Sequence, residues 1–304
     1  MFLNHFHFDG IAISYLLVGI VVTLLTAVYG RRTLRSKEQI SRFYCTLALF
    51  CAGYGITIFS GDLKILFAGW EIMGFASFLL IILHRNITPG NTLKAFFIYR
   101  LGDVGLLLAM WASHHLWHEN TTFVSLLLVM TASAQASQLP VSAWLPQAME
   151  NSSTAGNMLL ATLAVQMGIF LLLRTMPLWE HQMPIRVLIA LLGTAAAAMA
   201  AGMVRVQTVA RRRIAYASMT HTGLIFVEVA AGFKSLALAH FAANALLRAY
   251  QLVRSQECQS PGQHVLKNSL TWEERLPKKL QYTLYMLYMK EWGMYARLSK
   301  YLRA

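Results

Sequence analysis

Ile65-Leu-Phe-Ala-Gly-Trp-Glu-Ile-Met-Gly-Phe-Ala-Ser-Phe-Leu-Leu-Ile-Ile-Leu-His84 is a nearly unbroken apolar run with a single carboxylic acid, Glu71, set inside it. As an α-helix it would rise about 30 Å, the thickness of a bilayer core. A soluble helix of this length would show a polar stripe for solvent, and this stretch has none.

The same pattern recurs along the chain. Of its 304 residues 57% are hydrophobic and 13% charged, with a mean hydropathy of +0.49. A soluble fold of this size could not cover that much apolar side chain with polar surface. Runs of membrane-spanning length fall at Ile11–Tyr29, Phe43–Ser60, Ile65–His84, Ala95–His114, Thr122–Gln138, Gly156–Arg174, Pro184–Val204, Ile214–Phe233 and Ser235–Val253. The expected fold is an all-α, polytopic transmembrane helix bundle of about nine spans. Residues 1–253 form its membrane domain, and 254–304 a cytoplasmic loop and tail. After the fifth span, Leu139-Pro140 removes a backbone donor, so the helix should break there and continue as a short half-helix through Trp144. Trp272–Ala304 mixes aromatics with Lys and Arg. It reads as an amphipathic helix on the membrane surface or against a partner, with a solvated tail as the alternative.

The net charge of +13 would suggest nucleic acid in a soluble protein. In a membrane protein, cation-rich cytoplasmic loops account for it, and no nucleic-acid partner is expected. With the N-terminus outside, roughly 20 of the 26 Lys and Arg fall on the inner side and about 4 outside, with Arg100 and Arg248 within spans. That asymmetry predicts an N-out, C-in protein. No signal peptide is expected, since Met1–Gly10 carries no basic residue ahead of the first span. Cys45, Cys51 and Cys258 lack metal-like spacing, and the first two read as small packing residues.

Ionisable groups inside spans are costly and therefore mark functional sites. Glu71 has no basic residue within a turn on its own helix. A carboxyl withdrawn from water favours its neutral form, which suits it to take and release a proton; a neutral packing role is the alternative. Arg100 and Asp103 are three apart and share a helical face, so they should form an internal ion pair that is structural or an electrostatic gate and biases Glu71. Gln135, Ser137 and Gln138 can line a hydrated path without titrating. His221, Glu228, His240 and Arg248 sketch a polar axis through the last two spans. In that axis the histidines are relays or satisfied core residues, and Arg248 is a fixed charge. His114, His115 and His118 with Glu119 read as a polar cap or, less simply, a metal site; no metal is assigned. No nucleotide loop, redox-cofactor motif or nucleophile–base pair is present, so no cofactor and no covalent chemistry are expected of this chain.

Four segments carry a family resemblance: Phe67-Ala-Gly-Trp-Glu-Ile-Met-Gly74, Lys94-Ala-Phe-Phe-Ile-Tyr-Arg-Leu-Gly-Asp103, Gln138-Leu-Pro-Val-Ser-Ala-Trp-Leu-Pro-Gln-Ala-Met149 and Arg213-Ile-Ala-Tyr-Ala-Ser218. In that order they resemble the antiporter-like subunits of respiratory complex I, the largest above all, and of Mrp cation/proton antiporters. The resemblance implies a broken-helix, inverted-repeat fold with a hydrated mid-membrane axis. It also implies that Glu71 is the first-half proton carrier. Met110-Trp-Ala-Ser-His-His-Leu-Trp-His-Glu-Asn120, Ala243-Asn-Ala-Leu-Leu-Arg-Ala-Tyr-Gln-Leu252 and Leu276-Pro-Lys-Lys-Leu-Gln-Tyr-Thr-Leu-Tyr285 look more like the membrane subunit of DAB-type inorganic carbon pumps. That likeness implies a large cytoplasmic zinc partner resembling a β-carbonic anhydrase, with zinc in the partner and none in this chain. The chain departs from the family pattern in several places. Gln135 stands where a Lys is usual, Glu150-Asn-Ser-Ser-Thr replaces Glu-Gly-Pro-Thr-Pro, Leu160 replaces a His, and Arg replaces Lys at Arg211 and Arg248. Two N-terminal spans and the last spans of the second repeat have no counterpart in these residues.

Three readings follow. The first is a proton-conducting subunit that powers carbon dioxide or bicarbonate uptake. The second is a subunit of a complex I-like oxidoreductase or an Mrp-like antiporter. The third is a membrane anchor that no longer pumps.

Overall fold

The computed structural model describes residues 8–34, 36–82, 100, 102–112, 121–142, 144–151, 153–257, 277–289 and 292. It is all-helical in the expected order. The helices are α1 (Gly10–Thr33), α2 (Lys37–Phe59), α3 (Leu63–Ile82), α4 (Gly102–Ala112), α5 (Thr121–Gln135), α6 (Trp144–Asn151), α7 (Thr154–Leu159), α8 (Met167–Arg174), α9 (Met176–Trp179), α10 (Met183–Val206), α11 (Ala210–Ala231), α12 (Lys234–Glu257) and α13 (Lys278–Met289). Among the described residues six stretches are long and apolar enough to cross a membrane: α1, α2, α3, residues 154–174, α10 and α11. The other three expected runs hold the shorter apolar helices α4 and α5 and the 24-residue α12. α12 is less apolar because Lys234, His240, Asn244 and Arg248 lie along it.

Helix ends follow local chemistry. Asp9 caps α1 by accepting the Ala12 N–H at 2.9 Å. Pro184 opens α10, where a missing donor costs nothing. Gly232, at φ +94°, closes α11 in the left-handed conformation that glycine adopts freely.

The centre of the bundle is the segment 154–174, buried from Thr154 to Leu173. It is not one continuous α-helix, as the apolar run suggests, because Leu160–Ala164 is a π-helical turn between α7 and α8. Such single π turns recur at functional sites. Tyr15 of α1 locks onto this segment. Its ring stacks on Phe241 at 4.1 Å and meets Phe170 edge-on, and its hydroxyl donates to the Gln166 carbonyl at 3.2 Å. The opposite side of α1, including Leu17, Leu24 and Val28, is exposed and suits lipid.

Glycine draws several helix pairs together, two of them around α3 and α4. A Cβ on Gly53 of α2 would lie 2.5 Å from the Met73 nitrogen of α3, and one on Gly69 would lie 2.7 Å from the Thr57 nitrogen. A Cβ on Gly102 of α4 would lie 2.6 Å from the Cβ of Ala134 in α5. Small residues of this kind let membrane helices approach backbone to backbone.

Near the end of the membrane that holds Asp9, Arg174 donates to Asp9 at 2.6 Å and to the Ile58 carbonyl at 3.1 Å, tying α1, α2 and α8 together. At the other end of α10, Tyr288 of α13 packs against Gly202. The tail therefore forms a helix over Lys278–Met289, and the remainder of 272–304, apart from Pro277 and Trp292, lies outside the described residues. Cys51 is half-buried beside Thr23, but Cys45 is exposed, so the packing role expected of Cys45 does not hold: its face of α2 points away from the bundle.

Candidate functional site

α3 presents Trp70 and Glu71 towards the head of α4, where Arg100 and Asp103 stand one turn apart. The guanidinium of Arg100 donates at 2.7 Å to Glu71 Oε2 and at 2.7 Å to Asp103 Oδ2. The indole of Trp70, fully buried, donates at 2.8 Å to Asp103 Oδ1. One cation thus holds two carboxylates, and a neutral donor takes an oxygen of the more buried one. Charged groups survive in such a place only when paired and hydrogen-bonded like this. The expected Arg100–Asp103 pair is present. Glu71, which lacks a basic neighbour on its own helix, draws on the same arginine from the next. Its side chain keeps 36% of its exposure against 9% for Asp103, so Glu71 is the open end of the triad.

The break lies between this triad and α11. α5 ends at Gln135, earlier than the apolar run suggests. Ser137 adopts φ +52°, its hydroxyl donates to the Ser142 carbonyl at 2.7 Å, and the Leu139–Pro140 peptide is cis. The half-helix begins at Trp144 and runs to Asn151, whereas the sequence reading carried it through Trp144 from the proline. The turn uses up the residues between, and the Trp144 indole returns to the Ala134 carbonyl at 2.8 Å, fixing where α6 can start. Gln135 donates to the Ala164 carbonyl in the π turn at 2.8 Å, and Ser218 of α11 donates to the Ala161 carbonyl in the same turn at 3.0 Å. Gln138 reaches the Met219 carbonyl at 3.3 Å. Gln135 Oε1, Gln138 Oε1 and both side-chain polar atoms of Gln166 are buried without a hydrogen-bond partner among the described residues. Unpaired buried amides of this kind mark places where water belongs.

Past the break, α11 and α12 bring three titratable side chains into line. His221 Nδ1 lies 2.9 Å from His240 Nε2, with the rings nearly perpendicular. His240 Nδ1 lies 2.7 Å from Glu228 Oε1. His221 and Glu228 are seven apart and share a face of α11, which is why one imidazole from α12 can touch both. Arg248 is not drawn into this set. Its guanidinium is held by two amides of its own helix, Asn244 at 3.0 Å and Gln251. Among the described residues no group of three or more His, Cys, Asp or Glu side chains is placed to hold a metal ion. His114, His115, His118 and Glu119 lie outside the described residues.

Residues 60–265 match the family model described as NADH:quinone oxidoreductase/Mrp antiporter, TM. The chain belongs to this family. The NADH-ubiquinone oxidoreductase chain 5 of Pongo pygmaeus is 30% identical over 258 residues, covering 80% of this chain and 43% of that protein. The protein of the same name from Rhizopus stolonifer is 27% identical over 262 residues, covering 80% and 40%. The chain spans less than half the length of the curated relatives it matches. Among solved structures, a chain of the Mrp complex from Dietzia sp. DQ12-45-1b superposes with a TM-score of 0.74 at 23% identity, over 80% of this chain and 29% of that one. A chain of the membrane-bound sulfane sulfur reductase, an archaeal respiratory membrane complex, gives 0.67 at 19% identity, over 80% and 44%. These share the fold.

The part of the chain matched by the antiporter family model contains both ionisable clusters and the break between them, whereas α1, α2 and α13 lie beyond it. Within it, sequence reasoning passed over three contributors. Trp70 was quoted only as a neighbour of Glu71, although a buried indole N–H calls for an acceptor. Asn244 was not given its role of holding Arg248, and Gln166 carried no signal beyond being an amide inside an apolar run.

Proposed function

We propose that this chain is a proton-conducting membrane subunit of an energy-coupled inorganic carbon uptake complex. The observation that carries proton conduction is the bridging of Glu71 and Asp103 by one guanidinium inside the membrane. When Glu71 takes a proton it loses its attraction for Arg100, which keeps Asp103. When the proton leaves, the bridge closes again. Proton uptake is thereby coupled to a movement of positive charge between two carboxylates. From there the path runs past the amides of the break, which pass protons only through water, to His221 and His240. Arg248 stays charged and repels a second positive charge from that region.

The choice of carbon uptake rests on the three segment likenesses and on α13. This basic, aromatic helix sits at the end of α10 opposite Asp9, where a soluble zinc subunit resembling a β-carbonic anhydrase would dock. With the cation asymmetry of the loops, this favours an N-out, C-in arrangement in a bacterial inner membrane. A second reading, a subunit of a complex I-like or Mrp-like assembly, is favoured by the names of the relatives. Copurification separates the two: a large zinc protein accompanies the chain in the first case, and NADH:quinone oxidoreductase or further antiporter subunits in the second. The proton role is tested by gradient-dependent bicarbonate accumulation in cells carrying Glu71→Gln, which should fall; uptake equal to the parent's would remove Glu71 from the path. The non-pumping anchor, which Gln135 favours, predicts docking without any such dependence.

A further inference from the structure

With Glu228 ionised, the His221–His240–Glu228 line has a definite polarity. A carboxylate can only accept, so the proton in the 2.7 Å contact sits on His240 Nδ1. His240 Nε2 is then a lone pair, and the 2.9 Å contact takes its proton from His221 Nδ1. His221 Nε2 is left as the acceptor at the head of the line. At the far end, Glu228 Oε2 is buried and has no hydrogen-bond partner among the described residues.

Glu228 occupies the last turn of α11. Its carbonyl accepts the Phe233 N–H at 2.9 Å across the turn that leads into α12. This turn lies at the same end of the bundle as Asp9 and Arg174, since α11 and α12 meet there and Lys234 lies 3.9 Å from Glu180, just beyond α9. The charged groups around it are otherwise occupied. Lys234 faces Glu180, and Arg186 of α10 donates to the Ala230 carbonyl at 2.9 Å. No cation among these is paired to Glu228.

We infer that Glu228 is the terminal proton acceptor of this half of the chain, and that the relay discharges through it to the face of the membrane that carries Asp9. This inference rests on the proton-conducting reading given above. In the forward step a proton binds His221 Nε2. The His221 Nδ1 proton passes to His240 Nε2, and the His240 Nδ1 proton passes to Glu228 Oε1. Both imidazoles end neutral in the opposite tautomer, and the added charge is cancelled on the carboxylate. Release of the Glu228 proton and return of each imidazole proton to its Nδ1 resets the line. Arg248 lies further along α12 towards the other face, where Asn244 and Gln251 hold it apart from the line.

The test is proton flux into proteoliposomes of the purified full chain loaded with a pH-sensitive dye, for wild type, Glu228→Gln and Glu228→Asp. Glutamine keeps an oxygen to accept from His240 Nδ1 and so keeps the contact, but it cannot take a proton. Flux is expected in the wild type, lost in Glu228→Gln and retained in part in Glu228→Asp. In ¹⁵N spectra of histidine-labelled protein, His240 is expected protonated on Nδ1 in both the wild type and Glu228→Gln, which separates loss of proton acceptance from loss of structure. Wild-type flux with undiminished flux in Glu228→Gln overturns the role of Glu228 and leaves proton conduction standing. A wild-type chain without flux overturns both. Sidedness is read from Glu228→Cys in a chain with its other cysteines replaced by Ser. Labelling by a membrane-impermeant thiol reagent is expected from the Asp9 face, and labelling only from the opposite face overturns the direction.

Discussion

Glu71 and Arg100 are 29 positions apart in sequence and 2.7 Å apart in space. The contact joins α3 to the head of α4 and makes one arginine serve two acids. A carboxyl that seems alone in an apolar run is instead the outer member of a triad.

Removing the shared cation should be expensive. Arg100→Gln leaves Glu71 and Asp103 facing each other without a positive charge. Stability is expected to fall by about 3 kcal/mol, as for other broken ion pairs in low-dielectric surroundings. Arg100→Lys should lie between, because an ammonium is a point charge that does not present the guanidinium's planar fork. Thermal unfolding in detergent measures both; equal midpoints for Arg100→Gln and the parent would contradict the triad.

Trp70→Phe preserves most of the buried ring and removes its donor. Asp103 Oδ1 then loses a 2.8 Å hydrogen bond, at an expected cost of about 1–2 kcal/mol. A larger loss would mean that the indole's shape matters more than its N–H.

α2 offers a comparison within one helix. Gly53→Ala puts a methyl 2.5 Å from the backbone of α3 and is expected to destabilise by about 1–3 kcal/mol. Gly55→Ala meets nothing within 4 Å and should stabilise by about 0.5–1 kcal/mol through helix propensity alone. Opposite shifts in unfolding temperature would support the close crossing, whereas shifts of the same sign would not.

Tyr15 separates packing from hydrogen bonding. Tyr15→Phe gives up a long 3.2 Å bond to Gln166 but keeps the ring against Phe241, and should cost about 1 kcal/mol or less. Tyr15→Ala empties the site and should cost about 3–5 kcal/mol. The ratio between the two variants, read from the same unfolding curves, is the test.

Much of this was visible in the sequence, because hydropathy acts locally. Each apolar run became a helix near its expected place, and the i, i+3 spacing of Arg100 and Asp103 placed them together. Contacts set by helix packing were not visible. Nothing in residues 65–84 points to Arg100, and nothing near Leu160 announces a π turn. The start of α6 at Trp144 depends on a left-handed Ser137 that composition does not reveal. The sequence offered His221, Glu228, His240 and Arg248 only as a neighbourhood; the grouping of the first three, and the order of that group, came from distances. Arg248 was grouped with Glu228 because both are charges in adjacent runs; in space each prefers a partner on its own side of the bundle.

The glycine crossings have a mechanical consequence for the triad. α2 and α3 touch backbone to backbone at Gly53 and Gly69, while α4 meets α5 at Gly102, where the Thr131 hydroxyl also donates to the Gly102 carbonyl at 3.1 Å. Each pair is a close-packed plate. Trp70 and Glu71 belong to the first plate and Asp103 to the second, with Arg100 bolting the two across the seam. The charge on Glu71 strengthens the tie across that seam, and its loss leaves the seam to the Trp70–Asp103 hydrogen bond, beside the plate that leads into the break at Gln135 and Ser137.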